Sequence, residues 1–122
     1  MIEDDLAIAQ MYQRQLALDG FRVLLARDGK GGLDLVRSSR PELILLDVLL
    51  PGIQGFELLD VLHKEPALAS IPVLILSNYG DPEMQRGGLV RGAREYLIKS
   101  STAPSELSAH VRRWIGSASK ND

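Results

Sequence analysis

Cysteine is absent from the 122 residues, which excludes a disulfide framework, a thiol nucleophile and thiolate metal sites and leaves oxygen-ligated cations as the metals to consider. No apolar run approaches the roughly 18 residues of a membrane span, and Met1-Ile2-Glu3-Asp4-Asp5 has neither the basic nor the apolar region of a secretion signal. The expected location is cytoplasmic, with no membrane partner. An excess of positive charge is also missing: 14 basic residues face 16 acidic ones, for a net charge of -2. Direct nucleic-acid binding is therefore not expected. There is no Gly-rich first turn of the kind that cradles a dinucleotide or flavin phosphate, so a nucleotide-binding reading has little support.

What remains is a chain that is 45% apolar and of a length suited to one core. Two short apolar runs stand out, Leu43-Ile44-Leu45-Leu46 and Val73-Leu74-Ile75-Leu76, each entered through a proline, Pro41 or Pro72. Uninterrupted apolar runs of this length fit strands buried on both faces, as in a parallel sheet. Weaker strand signals lie at Phe21 to Leu25 and Tyr96 to Ile98. The intervening segments carry helical spacing, clearest in Leu107, Val111, Trp114 and Ile115. Alternating strands and helices predict a flavodoxin-like three-layer α/β/α sandwich around a parallel five-stranded sheet of order 2-1-3-4-5. Residues 1–116 are expected to form the domain and 117–122 a disordered tail or the start of a linker.

Open sheets of this kind work beyond the carboxyl ends of their strands. Glu3, Asp4 and Asp5 follow the first strand, Asp47 the third, Ser77 the fourth and Lys99 the fifth. Crowded carboxylates repel one another unless a cation sits among them. Lys99 and a bound Mg²⁺ would supply that charge, with Mn²⁺ as an alternative. Taken singly, each residue has a plainer reading: Asp47 as a turn or helix cap, Asp5 as the cap of the first helix, Ser77 and Lys99 as ordinary strand-end polar groups. Their joint placement favours phosphoryl chemistry.

The segment Pro41-Glu-Leu-Ile-Leu-Leu-Asp-Val-Leu-Leu-Pro-Gly-Ile-Gln-Gly-Phe-Glu-Leu-Leu59 resembles the phosphoacceptor region of bacterial response regulator receiver domains. Glu3-Asp4-Asp5 resembles their acidic pocket, Ile71 to Ser77 their hydroxyl strand, and Gly92 to Lys99 their lysine strand. The resemblance implies two-component signalling in which a sensor histidine kinase or phosphotransfer protein donates a phosphoryl group to Asp47. It implies metal ligation by Glu3, Asp4, Asp47 and the backbone carbonyl of Leu49, catalytic support from Ser77 and Lys99, and a switch formed by Ser77 and Tyr96. The switch would alter the face made by the fourth helix, fifth strand and fifth helix. That face is expected to carry Arg86, Arg91, Arg94, Arg112 and Arg113 and to serve as a homodimer or partner surface. Such a protein catalyses only its own phosphorylation and dephosphorylation; a receiver-like module that works by contact alone is the competing reading.

Four departures from the family pattern stand out. Ser100 replaces the usual proline after Lys99, so the peptide is expected to be trans or a strained cis bond. Asn78 and Tyr79 stand where smaller residues are common. Gly87 and Gly88 fall inside the fourth helix, at up to about 1 kcal/mol each relative to alanine. Only Met1 and Ile2 precede the acidic residues, which predicts a truncated first strand with unpaired backbone on its neighbours. His63 and His110 are expected on the surface and Trp114 in the core.

Overall fold

The computed structural model of the chain describes residues 1–48, 55–78 and 80–119, with side chains described as far as Ile115. Its elements are α1 (Leu6–Leu18), α2 (Gly29–Ser39), β1 (Ile44–Leu46), α3 (Gly55–Lys64), β2 (Val73–Ser77), α4 (Pro82–Val90), β3 (Glu95–Ile98), a 3₁₀ turn (Lys99–Ser101) and α5 (Pro104–Ser119). Three helices begin at an aspartate whose carboxylate accepts a backbone N–H of the first turn: Asp5 from Ile8, Asp28 from Gly31 and Asp81 from Met84. Pro82 then opens α4 at a position where a missing N–H costs nothing.

The three strands are parallel in the order β1-β2-β3, with Ile44 opposite Val73 and Leu76 opposite Leu97. Before β1 in the sheet lies the N-terminal segment. The Ile2 N–H donates to Leu45 O at 2.8 Å and Ile2 O accepts from Asp47 N at 3.0 Å. On its other side, Glu3 N donates to Ala26 O at 3.0 Å and Met1 O accepts from Ala26 N at 2.9 Å. The lateral order is therefore the expected 2-1-3-4-5.

The first two positions of that order are the short ones. Met1 to Glu3 satisfies its neighbours' backbone where it runs beside them, so the predicted unpaired edge does not begin there. Phe21 to Leu25 forms no regular strand; among the described residues the bridge on that side is at Ala26. Among the described hydrogen bonds, Met1 to Glu3 meets this side only at Leu24 and Ala26.

Side chains alternate across the sheet. Ile2, Ile44, Leu46, Val73 and Ile75 face α2 and α3, where they pack against Val36, Leu58, Leu59 and Leu62. Leu45, Leu74, Leu76 and Leu97 face α1 and α5, against Tyr12, Leu16, Leu107 and Val111. The α4 glycines explain their own cost. A Cβ on Gly88 would stand 2.5 Å from Ile75 Cδ1 and 3.2 Å from Tyr96 Cδ2, so only glycine lets this nine-residue helix lie so close to the sheet. Trp114, expected in the core, is half-buried at its margin.

Candidate functional site

The carboxyl ends of the strands bring together Glu3, Asp4, Asp47 and Lys99, which line a cleft of about 280 Å³ with Asp5, Ile8 and Asn78. Glu3 and Asp47 are buried, at 2% and 7% exposure, and Asp4 is the most open of the three acids. Lys99 Nζ lies 3.0 Å from Asp47 Oδ2 and forms a second, shorter contact with Glu3 Oε1. One ammonium thus bridges two buried carboxylates, the compensation such a cluster requires. Lys99 reaches this position although Ser100 follows it; no cis peptide occurs among the described residues.

Burial alone would lower the Lys99 ammonium, but the hydrogen bonds to Glu3 and Asp47 outweigh it and its pKa is raised. Burial dominates at Glu3, lifting its carboxyl to about 7 against the opposing pull of Lys99 and of the Asp5 N–H. A carboxyl destabilised in this way gains from any cation that enters beside it. Carboxylate oxygens of Glu3, Asp4 and Asp47 lie within 4.8 Å of one another. That donor set is all oxygen and anionic, and it fits a hard divalent cation.

Ser77 is fully buried at the end of β2. It does not line the cleft as the acids do; its hydroxyl is near enough to Tyr96 to oppose the upward push of burial on the phenol's pKa, and Tyr96 is half-buried on the α3 and α4 side of the sheet. The hydroxyl and the aromatic expected to act together are thus neighbours. Asp5 is the helix cap, its Oδ1 accepting from Ile8 N at 3.1 Å, and Gly55 N donates to Val48 O at 3.0 Å, closing the chain just past Asp47. Leu49 and Tyr79 lie outside the described residues.

Residues 1–112 match the family described as response regulator receiver domain. The chain belongs to this family. Its relatives include the response regulator MprA of Mycolicibacterium vanbaalenii, 33% identical over 122 residues that span all of this chain and 52% of MprA. The transcriptional regulatory protein AfsQ1 of Streptomyces coelicolor is 40% identical over 99 residues, 81% of this chain and 43% of AfsQ1. The Francisella response regulator 1452 receiver domain superposes with a TM-score of 0.89 at 30% identity, covering 96% of this chain and 94% of that one. The chain spans about half the length of the curated relatives it matches. As a response regulator receiver it functions in two-component signalling, where Mg²⁺-dependent phosphoryl transfer to an aspartate is the family's chemistry.

The face made by α4, β3 and α5 in this receiver is more internally paired than the sequence suggested. Arg91 sits 4.9 Å over the Phe56 ring and 3.5 Å from Asp60 Oδ2. Arg94 lies over Trp114. Glu95 Oε1 pairs with His110 Nδ1 at 2.9 Å, and Glu95 Oε2 accepts from Trp114 Nε1 at 2.7 Å. Arg112 belongs elsewhere: it donates to Asp19 O at 3.1 Å and covers Phe21, because its turn of α5 faces α1. His63 is exposed as expected, whereas His110 is half-buried by its contact with Glu95.

Proposed function

We propose that Asp47 is the phosphoacceptor, and that residues 1–116 form the receiver unit with 117–122 as a tail. The donor is the phosphohistidine of a sensor kinase or phosphotransfer protein, in the cytoplasm. An Asp47 carboxylate oxygen attacks phosphorus, the P–N bond to the donor imidazole breaks as the new P–O bond forms, and the product is an acyl phosphate. The observation that carries this reading is the bridging of Asp47 and Glu3 by Lys99 Nζ inside a small acidic cleft. That ammonium is placed to follow charge from the carboxylate to a phosphoryl oxygen without reorganisation of the site.

Glu3, Asp4 and Asp47, with the backbone carbonyl of Leu49, would hold Mg²⁺ or Mn²⁺, which neutralises phosphoryl charge when bound. Ser77 would donate to another phosphoryl oxygen. Because Ser77 neighbours Tyr96, its recruitment alters that contact and biases the face of α4, β3 and α5, a population shift between two arrangements. That face would receive a partner or a second copy. The protein turns over no substrate other than its own phosphoryl group. Incubation with a small phosphodonor and Mg²⁺, followed by intact mass, should show one added phosphoryl group on the wild type and none on Asp47→Asn. No addition to the wild type, or equal addition to both, would favour a module that works by contact alone.

A further inference from the structure

Lys99 leaves the sheet at a thinly supported corner of the backbone. It follows β3, the edge strand of the described sheet, and precedes two exposed residues, Ser100 and Ser101. Neither of these restricts the chain as a proline would. The 3₁₀ turn Lys99–Ser101 has no side-chain cap at its start, and its backbone closure from Thr102 N to Lys99 O is long, at 3.3 Å. Yet from this turn the Lys99 ammonium must meet two buried carboxylates. A flexible four-carbon stem holds such a position only if the backbone beneath it is held first.

Tyr12 of α1 supplies that hold. Its side chain is buried among Leu16, Leu107 and Val111, and its hydroxyl donates to the carbonyl of Thr102 at 3.2 Å, a buried bond between residues 90 apart in sequence. The phenol is close enough to Lys99 and Glu3 to feel both charges, and burial raises its pKa, so it remains a neutral donor. A phenylalanine would fill the same apolar space; the hydroxyl is what the turn uses. The helix that carries Tyr12 begins directly after Glu3, Asp4 and Asp5, with Asp5 as its cap. One hydrogen bond therefore ties the helix that follows the acids to the turn that carries the ammonium.

We propose that Tyr12 is a positioning residue for phosphoryl transfer, its hydroxyl fixing the Thr102 carbonyl and thereby the turn from which Lys99 reaches the site. The inference rests on the reading of Asp47 as phosphoacceptor and of Lys99 as the ammonium that follows its charge. Tyr12 does not line the acidic cleft and acts through the backbone. Without the bond, Lys99 keeps its charge but occupies its bridging position for a smaller fraction of the time. The rate then falls while the oxygen set of Glu3, Asp4 and Asp47 stays as it is.

The test is a double-mutant cycle on the whole chain, with acetyl phosphate as donor at saturating Mg²⁺ and intact mass read against time. Lys99→Ala comes first: if it does not slow the reaction, the reading of Lys99 and this proposal fall together. Tyr12→Phe should slow phosphorylation by about 5- to 50-fold, as a small misplacement does, and should add nothing in the Lys99→Ala background. Mg²⁺ affinity, measured by calorimetry, should be unchanged. In the metal-free protein, exchange of the Thr102 amide with solvent should quicken several-fold. No slowing by Tyr12→Phe, or equal slowing in both backgrounds as a damaged fold would give, would overturn the proposal while leaving the role of Lys99 intact. So would a parallel loss of Mg²⁺ affinity or an unchanged Thr102 exchange rate.

Discussion

The two ends of one sheet differ in nearly every physical respect. The carboxyl end is a small cleft in which one ammonium bridges two buried carboxylates beside the more open Asp4, and the amino end is a groove three times larger with mostly apolar walls. Glu3 and the Met1 amine, two residues apart in the same segment, are both buried against their charged forms, yet only Glu3 has a counter-charge beside it. Hollow volume alone would not have marked the acidic cleft. Converging charge marks the place where charge must be managed during a reaction, while an apolar hollow marks incomplete packing.

This contrast breaks most visibly at Lys99. Lys99→Ala should slow phosphorylation from a small phosphodonor by about 100- to 1,000-fold, the usual cost of losing one charge-stabilising donor. Intact mass against time gives the rate, and a loss below tenfold would remove Lys99 from the chemistry.

Next in size is the pH dependence of stability at the amino end. Lowering the Met1 amine from 8.0 to about 6 means the unfolded chain binds more protons between those values. Stability from this group should therefore rise with pH across that window, by up to about 3 kcal/mol. Urea unfolding at saturating Mg²⁺ measures it. N-terminal acetylation should flatten the slope, and an unchanged slope would place the dependence elsewhere.

The carboxyl end should behave oppositely. Raised to about 7, Glu3 is protonated more readily in the folded chain, so its contribution falls as pH rises from about 4.5 to 7 when no cation is present. Cation binding needs the ionised form, and apparent Mg²⁺ affinity should drop up to tenfold per pH unit below about 7. Calorimetric titration at pH 6 and 8 reads this, and Glu3→Gln should abolish the difference.

The smallest effect, at Leu43, sharpens the packing side. Leu43 is only half-buried beside the groove, whereas Leu58 is fully buried against β1. Leu43→Ala should cost about 1 kcal/mol by lost apolar contact and Leu58→Ala about 3 to 5. Equal costs would mean that the groove is packed as tightly as the core.

Much of the carboxyl end was legible in the sequence because strand ends are marked twice, by an apolar run and by the polar residue that closes it. Asp47 after Leu43–Leu46 and Ser77 after Val73–Leu76 are read in this way, and parallel topology then brings them to one edge. Lys99 reached the acids despite Ser100, since β3 positions it before the chain turns. The amino end was legible only as an absence. That two residues before Glu3 still pair with both neighbours depends on lateral contacts between distant segments. Helix faces misled at single positions: Arg112 turned toward α1, and Trp114 moved outward because its indole N–H has a partner in Glu95.

That last contact has a practical consequence. Trp114 is the sole tryptophan, and its indole is tied to the residue immediately before Tyr96. Its emission comes from one place, on the surface through which a signal would leave. An unlabelled sample in a fluorimeter therefore carries its own reporter, in which a change of wavelength or quenching registers rearrangement of that surface as it happens.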